Sequence, residues 1–162
     1  MKPALQHQST IYVIGIREEH VMSEEGGIPT ILSQWGRFMA RVHEIPNRDE
    51  ATLGICLGMP QEGPFDYVTG AVLRNSKASI PLGMELVRLE PAEYAVFTHQ
   101  GPIAALHETY IAIEQWLKEN GGYRRAAAPE FELYDHRYIS PDSPDSAFDI
   151  YVPVAQLEGL EA

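Results

Sequence analysis

The chain has 162 residues, with 12 Lys and Arg against 23 Asp and Glu, a formal charge of −11 at pH 7 and a single cysteine, Cys56. That length suits one domain with room for an internal duplication, the acidic balance disfavours nucleic-acid binding, and a lone cysteine excludes an intramolecular disulfide. No apolar run approaches the ~18 residues of a membrane span, and Met1 to Thr10 lacks the apolar centre of a signal peptide, so a cytoplasmic protein with no membrane partner is expected.

In chain order, Ile11 to Ile16 is a β-branched and aromatic run that predicts a strand. The turn Gly26-Gly27 follows, with Pro29 suited to a first helical turn. Ile28, Ile31, Leu32, Trp35, Met39 and Val42 then recur at three- and four-residue spacing, which predicts a helix from Ile28 to Val42 with those residues on its buried face. Thr52 to Leu57 and Phe65 to Leu73 predict two strands around Gly58-Met59-Pro60. After the connecting segment Asn75 to Leu89, in which Leu82 to Leu89 could form an extra strand, Glu93 to His99 predicts a strand. Ile103, Leu106, Tyr110, Ile113 and Leu117 keep helical period from Pro102 to Glu119, and Asn120-Gly121-Gly122 supplies the glycine that ends a helix. Phe131 to Arg137 and Phe148 to Val154 close the chain as strands around a Ser/Pro/Asp loop.

The order strand, helix, strand, strand therefore occurs twice. Phe65-Asp66-Tyr67-Val68 and Phe148-Asp149-Ile150-Tyr151 can be laid over each other at equivalent places. The expected fold is α+β: duplicated strand-helix-strand-strand halves, about 9–84 and 85–157, forming an antiparallel sheet with two helices on one face and a ligand groove between the halves.

Strand alternation puts Glu130, Glu132 and Tyr134 on one face and Phe131, Leu133 and Asp135 on the other. If Phe131 and Leu133 face the helices, Glu132 and Tyr134 face the groove. If Ile150, Val152 and Val154 form the core face of the last strand, Asp149 and Tyr151 join them there. The buried set is then Trp35, Ile31, Leu32, Met39, Leu106, Tyr110, Ile113 and Leu117 against Phe131, Leu133, Ile150 and Val152. A carboxylate in an apolar, aromatic groove either raises its pKa or awaits a cation. Tyr134, Tyr151, Tyr12, Tyr94, Phe97 and Trp116 are the candidate rings, each able to add roughly 0.5–2 kcal/mol to a facing cation. Two carboxyl groups could equally act as acid and base in hydrolysis, and the residues leave both uses open. Cys56 lies in an apolar strand and reads as an inert thiol. The six histidines are scattered without ligand spacing, so no metal and no cofactor is expected. His99 and His107 could approach across the strand-helix turn and tether it.

Pro129-Glu130-Phe131-Glu132-Leu133-Tyr134, Asp149-Ile150-Tyr151-Val152-Pro153-Val154 and Glu93 to Pro102 (Glu-Tyr-Ala-Val-Phe-Thr-His-Gln-Gly-Pro) together resemble the GyrI-like, or effector-binding, domain family. Such domains occur behind DNA-binding modules in AraC-type and BmrR-type regulators, and also alone. The resemblance implies a groove that binds lipophilic cations through aromatic rings and a buried glutamate, with Phe131, Glu132 and Tyr134 at the matching positions. Asp149 stands where many members have Glu, one methylene longer. The two halves take up nearly all of Ser9 to Val154, so a stand-alone binding, sensing or sequestering module is expected, with no direct nucleic-acid contact. The alternatives that the family carries are hydrolysis of electrophilic small molecules and a protein partner such as a DNA-binding regulator or topoisomerase.

Overall fold

The computed structural model describes residues 1–24, 28–119 and 122–156. The expected Gly26-Gly27 turn, and Asn120 and Gly121 of the expected helix stop, lie outside the described residues. Two compact units share the chain: Thr10–Glu90 forms one, and Met1–Ser9 with Pro91–Ala162 forms the other.

In the Thr10–Glu90 unit, β2 (Ile11–His20), β3 (Arg48–Leu57), β4 (Phe65–Leu73) and β5 (Glu85–Leu89) pair antiparallel in the order β3-β4-β2-β5. Helix α1 (Ile31–Met39) buries Phe38 among Ile14, Ile45, Ala71 and Leu73. The buried face is turned from the expected one: Leu32 and Met39 are exposed, at 64% and 50%, while Gln34 is fully buried. Gln34 is there for its polar atoms, since its amide donates to the carbonyls of Ile16 and Tyr67, both at 2.9 Å. Where β2 meets β4, Gly15 and Gly70 lie directly opposite each other. A Cβ on Gly15 would sit 2.0 Å from the Thr69 carbonyl oxygen, so only glycine permits this approach.

In the other unit, β1 (Ala4–Gln8), β6 (Ala92–Gln100), β8 (Glu130–Tyr134) and β9 (Ala147–Gln156) are ordered β1-β6-β9-β8. The short β7 (Tyr123–Arg125) also pairs with β9. Helix α2 (Leu106–Glu119) follows a single 3-10 turn and lays Ile113 against Ala95, Phe97, Phe148, Ile150, Val152 and Val154. Leu106, Tyr110, Trp116 and Leu117 flank that contact. β1 has no β-branched residue to announce it; its backbone is recruited by pairing with β6 from Ala4↔Val96 to Gln8↔Ala92.

Each unit thus has a strand-helix-strand-strand succession, and the duplication extends to one buried device. His20 lies opposite Phe65 in the β2–β4 ladder, with its Nδ1 2.5 Å from Thr30 Oγ1. His99 lies opposite Phe148 in the β6–β9 ladder, with its Nδ1 2.6 Å from Thr109 Oγ1. The partners of the other ring nitrogen fix both tautomers. His99 Nε2 faces the Pro102 carbonyl at 3.0 Å and His20 Nε2 faces Gln34 Oε1 at 2.5 Å, so each Nε2 donates and each Nδ1 accepts from threonine. His99 tethers the turn into α2 in this way, while His107 is exposed. Among the described residues no helix is long and apolar enough to cross a membrane.

Candidate functional site

The β8–β9 register decides which side each candidate occupies. Phe131 pairs with Tyr151, Glu132 with Ile150 and Leu133 with Asp149, and directly paired residues project from the same face. Ile150 belongs to the core beneath α2, so Glu132 and its alternation partners Glu130 and Tyr134 lie on the helix side of the sheet. Phe131, Leu133, Asp149 and Tyr151 lie on the opposite side. This reverses the expected facing of Phe131 and Leu133 and separates Asp149 and Tyr151 from Glu132. Phe131 does not need the helix to be buried, because it stacks on Tyr151 at 4.5 Å and meets Tyr94 edge-on at 5.2 Å.

On the helix side, Glu132 is half-buried and held by two hydroxyls. Tyr110, from α2, donates to Oε2 at 2.7 Å, and Tyr134, from its own strand, donates to Oε1 at 2.8 Å. Each hydroxyl engages a different oxygen, so the two tyrosines fix the carboxyl group in place. Rings continue along this face. Tyr134 packs on Phe148 at 4.6 Å and on Tyr138 at 5.1 Å. Phe97 meets Trp116 at 5.7 Å, and Trp116 stacks on Tyr123 at 5.7 Å. Burial raises the Tyr138 hydroxyl above its ordinary value, and the Asp142 and Glu132 charges push the same way.

Glu130 lies two residues along from Glu132. Burial pushes its carboxyl above the usual range, the Arg125 guanidinium pulls it back in part, and the Glu132 charge adds to the rise. Arg125 Nε lies 3.4 Å from Glu130 Oε2, and its Nη1 pairs with Glu114 of α2. Burial alone would lower Arg125, but the charges of Glu130 and Glu114 more than offset it.

On the opposite face the acids and hydroxyls are already partnered. Arg137 grips Asp149 at 2.9 Å and Asp135 at 2.9 Å, and Thr98 donates to Asp149 at 2.7 Å. Tyr151 accepts from Gln6 at 3.3 Å, and Tyr94 donates to the Pro129 carbonyl at 3.1 Å. Burial raises Tyr94 to about 12, and it raises Tyr151 too. Tyr12 packs on the core of the Thr10–Glu90 unit, beside Ile14 and Phe38. Of the nine candidates, Glu130, Glu132, Tyr134, Phe97 and Trp116 share one face of one unit; Asp149, Tyr151, Tyr94 and Tyr12 do not join them there.

Tyr110, Tyr138 and Arg125 are the residues that sequence reasoning missed on the Glu132 side. Tyr110 had a legible signal: a tyrosine within an apolar helical stripe needs a partner for its hydroxyl. A hollow of about 370 Å³ at the β1 end of the sheet is lined by Leu5, Gln6, Glu93, Tyr123 and Val154 among others. Its acid, Glu93, is paired with His7 at 2.6 Å. Among the described residues no group of three or more His, Cys, Asp or Glu could hold a metal ion.

The fold has close counterparts among solved structures. SAV2435, in a structure bound to tetraphenylphosphonium, superposes with a TM-score of 0.72 at 23% identity, covering 99% of this chain and 96% of that one. The C-terminal domain of EcmrR superposes with a TM-score of 0.67 at 17% identity, covering 96% and 98%. At such identities the likeness is one of fold. In sequence, the chain is 36% identical over 127 residues to the transcriptional regulator BrlR of Pseudomonas aeruginosa PAO1. That match covers 77% of this chain and 46% of the regulator, so the chain spans less than half the length of that relative. The family model of the GyrI-like small molecule binding domain matches residues 1–155, and the chain belongs to that family.

Proposed function

We propose that this chain binds a lipophilic organic cation on the helix side of β8, with Glu132 as the charge that recognises it. The observation that carries this is the pair of tyrosine hydroxyls fixing Glu132 on a sheet face that also carries the rings of Phe97, Phe148 and Tyr134. The hydroxyls orient the carboxylate without contributing a positive charge. A delocalised cation is cheap to dehydrate, so it gains the carboxylate's field together with the faces of Tyr110, Tyr134 and Tyr138. An anion of the same shape would meet the charge of Glu132. The tetraphenylphosphonium held by SAV2435 is a ligand of this chemistry, and the regulator BrlR supports a sensing role for the bound state. Asp149, already gripped by Arg137, is assigned to holding the opposite face together.

The test is titration of a cationic dye and a neutral analogue of similar size into the native protein and Glu132→Gln. The substitution keeps the shape and removes the charge. Binding of the cation should weaken at least tenfold, about 1.4 kcal/mol, with the neutral analogue little changed. Equal losses for both would make Glu132 a shaping residue only, and no loss for either would move the site elsewhere.

A further inference from the structure

Glu130 and Glu132 are alternate residues of one strand, on one face, at the ~7 Å spacing that alternation imposes. They are partnered in different ways. Glu132 is held by tyrosine hydroxyls, whereas Glu130 is paired with a full positive charge, Arg125, which comes from β7 on the same face: Arg125 pairs with Val154 of the α2-side core. Arg125 is itself anchored from the helix by Glu114, a half-exposed residue whose charge water screens. At strand spacing in a partly buried setting, the charges at positions 130 and 132 act on the same bound ion.

We infer that Arg125 sets the valence of the cation this face accepts: by neutralising Glu130 it lowers the negative charge presented beside Glu132 by one, and so favours an aromatic monocation over a dication. This rests on the assignment of Glu132 as the recognition charge. It makes Arg125 a specificity residue that need not touch the ligand. Its effect should follow the sum of charges and not the integrity of any one ion pair.

The experiment compares N-methyl-4-phenylpyridinium with N,N′-dimethyl-4,4′-bipyridinium, two probes of nearly the same rings that differ by one charge. Each is titrated by calorimetry into the native protein, Arg125→Met, Glu130→Gln and the double variant. The native protein should favour the monocation. Arg125→Met should shift the ratio of affinities toward the dication by at least about tenfold, and Glu130→Gln should shift it the other way. The double variant restores the native sum of charges and should return the ratio to within about threefold of the native one, although it lacks the ion pair altogether. If Arg125 only ties β7 to β8 and α2, both probes weaken together in Arg125→Met and the double variant brings no return, which overturns the inference. Should Arg125→Met fail to fold, Glu130→Gln alone decides: an unchanged ratio overturns it equally. Glu132→Gln, run beside them, separates the two levels. If it leaves both probes unaffected, the site assignment itself fails, whereas a loss there with no valence shift in the other variants sinks only the role of Arg125.

Discussion

Tyr110 and Glu132 stand 22 residues apart, one on a helix and one on a strand, and the tyrosine hydroxyl donates to the carboxylate at 2.7 Å. Together with the Tyr134 hydroxyl this engages both oxygens of the carboxyl group, so removing either hydroxyl withdraws a donor from a half-buried acid. Tyr110→Phe should lower stability by about 1–3 kcal/mol in urea unfolding. Tyr134→Phe should do the same. Because both hydroxyls serve one carboxylate, the double variant should lose more than the sum of the two. Strict additivity would show that the hydroxyls do not share the load.

The glycine pair in the β2–β4 ladder makes a sharper demand. Gly15→Ala places a methyl 2.0 Å from the Thr69 carbonyl, and Gly70→Ala places one 2.3 Å from Val13 Cγ1. The first meets rigid backbone and the second the end of a side chain, so Gly15→Ala should cost more, about 2–3 kcal/mol or above. Thermal unfolding of the two variants side by side checks the order.

The paired histidine devices predict matching penalties. Thr109→Val leaves His99 Nδ1 buried without a donor, and Thr30→Val does the same to His20. Each should cost about 1–3 kcal/mol by denaturant titration. A near-zero cost at one site would mean that the threonine hydroxyl contributes nothing to holding that ring.

Asp135 supplies the pH dependence. Its hydrogen bonds to Arg137 hold the carboxyl below its ordinary value of 3.8, against a smaller upward push from burial. A folded pKa below the unfolded one stabilises the fold above 3.8, and that contribution is lost as pH falls through the lower, folded value. Asp135→Asn should therefore be less stable than the native protein by about 1 kcal/mol at neutral pH, with the gap closing once the pH is well below 3.8. A gap that stays constant across this range would remove the ion pair as its cause.

Much of this fold is legible in the residues themselves. The limits of β4 follow from its alternation between turn residues, and the matched Phe-Asp pairs mark equivalent strand positions, since Phe65 and Phe148 each face a buried histidine. The two helices follow from their periodicity. What hydropathy cannot show is the phase of a strand whose two faces are both partly buried. β8 carries rings and acids in alternation, and only its register with β9 decides that the acids face α2. The buried face of α1 was hidden similarly, because Gln34 is inside for its hydrogen bonds while Leu32 is outside. Glu132 itself is visible from its motif, whereas Tyr110 and Arg125 become neighbours of the two glutamates only through tertiary packing.

Recognition of positive charge by Glu132 is tested most directly with two ions of the same shape and opposite sign. Calorimetric titration of tetraphenylphosphonium and tetraphenylborate into the native protein and Glu132→Gln isolates charge from size. The native protein should bind the phosphonium and reject the borate, and Glu132→Gln should weaken the phosphonium at least tenfold, about 1.4 kcal/mol, while narrowing the difference between the two ions. Equal affinity of the native protein for both ions, or an undiminished preference for the phosphonium in Glu132→Gln, would contradict the assignment.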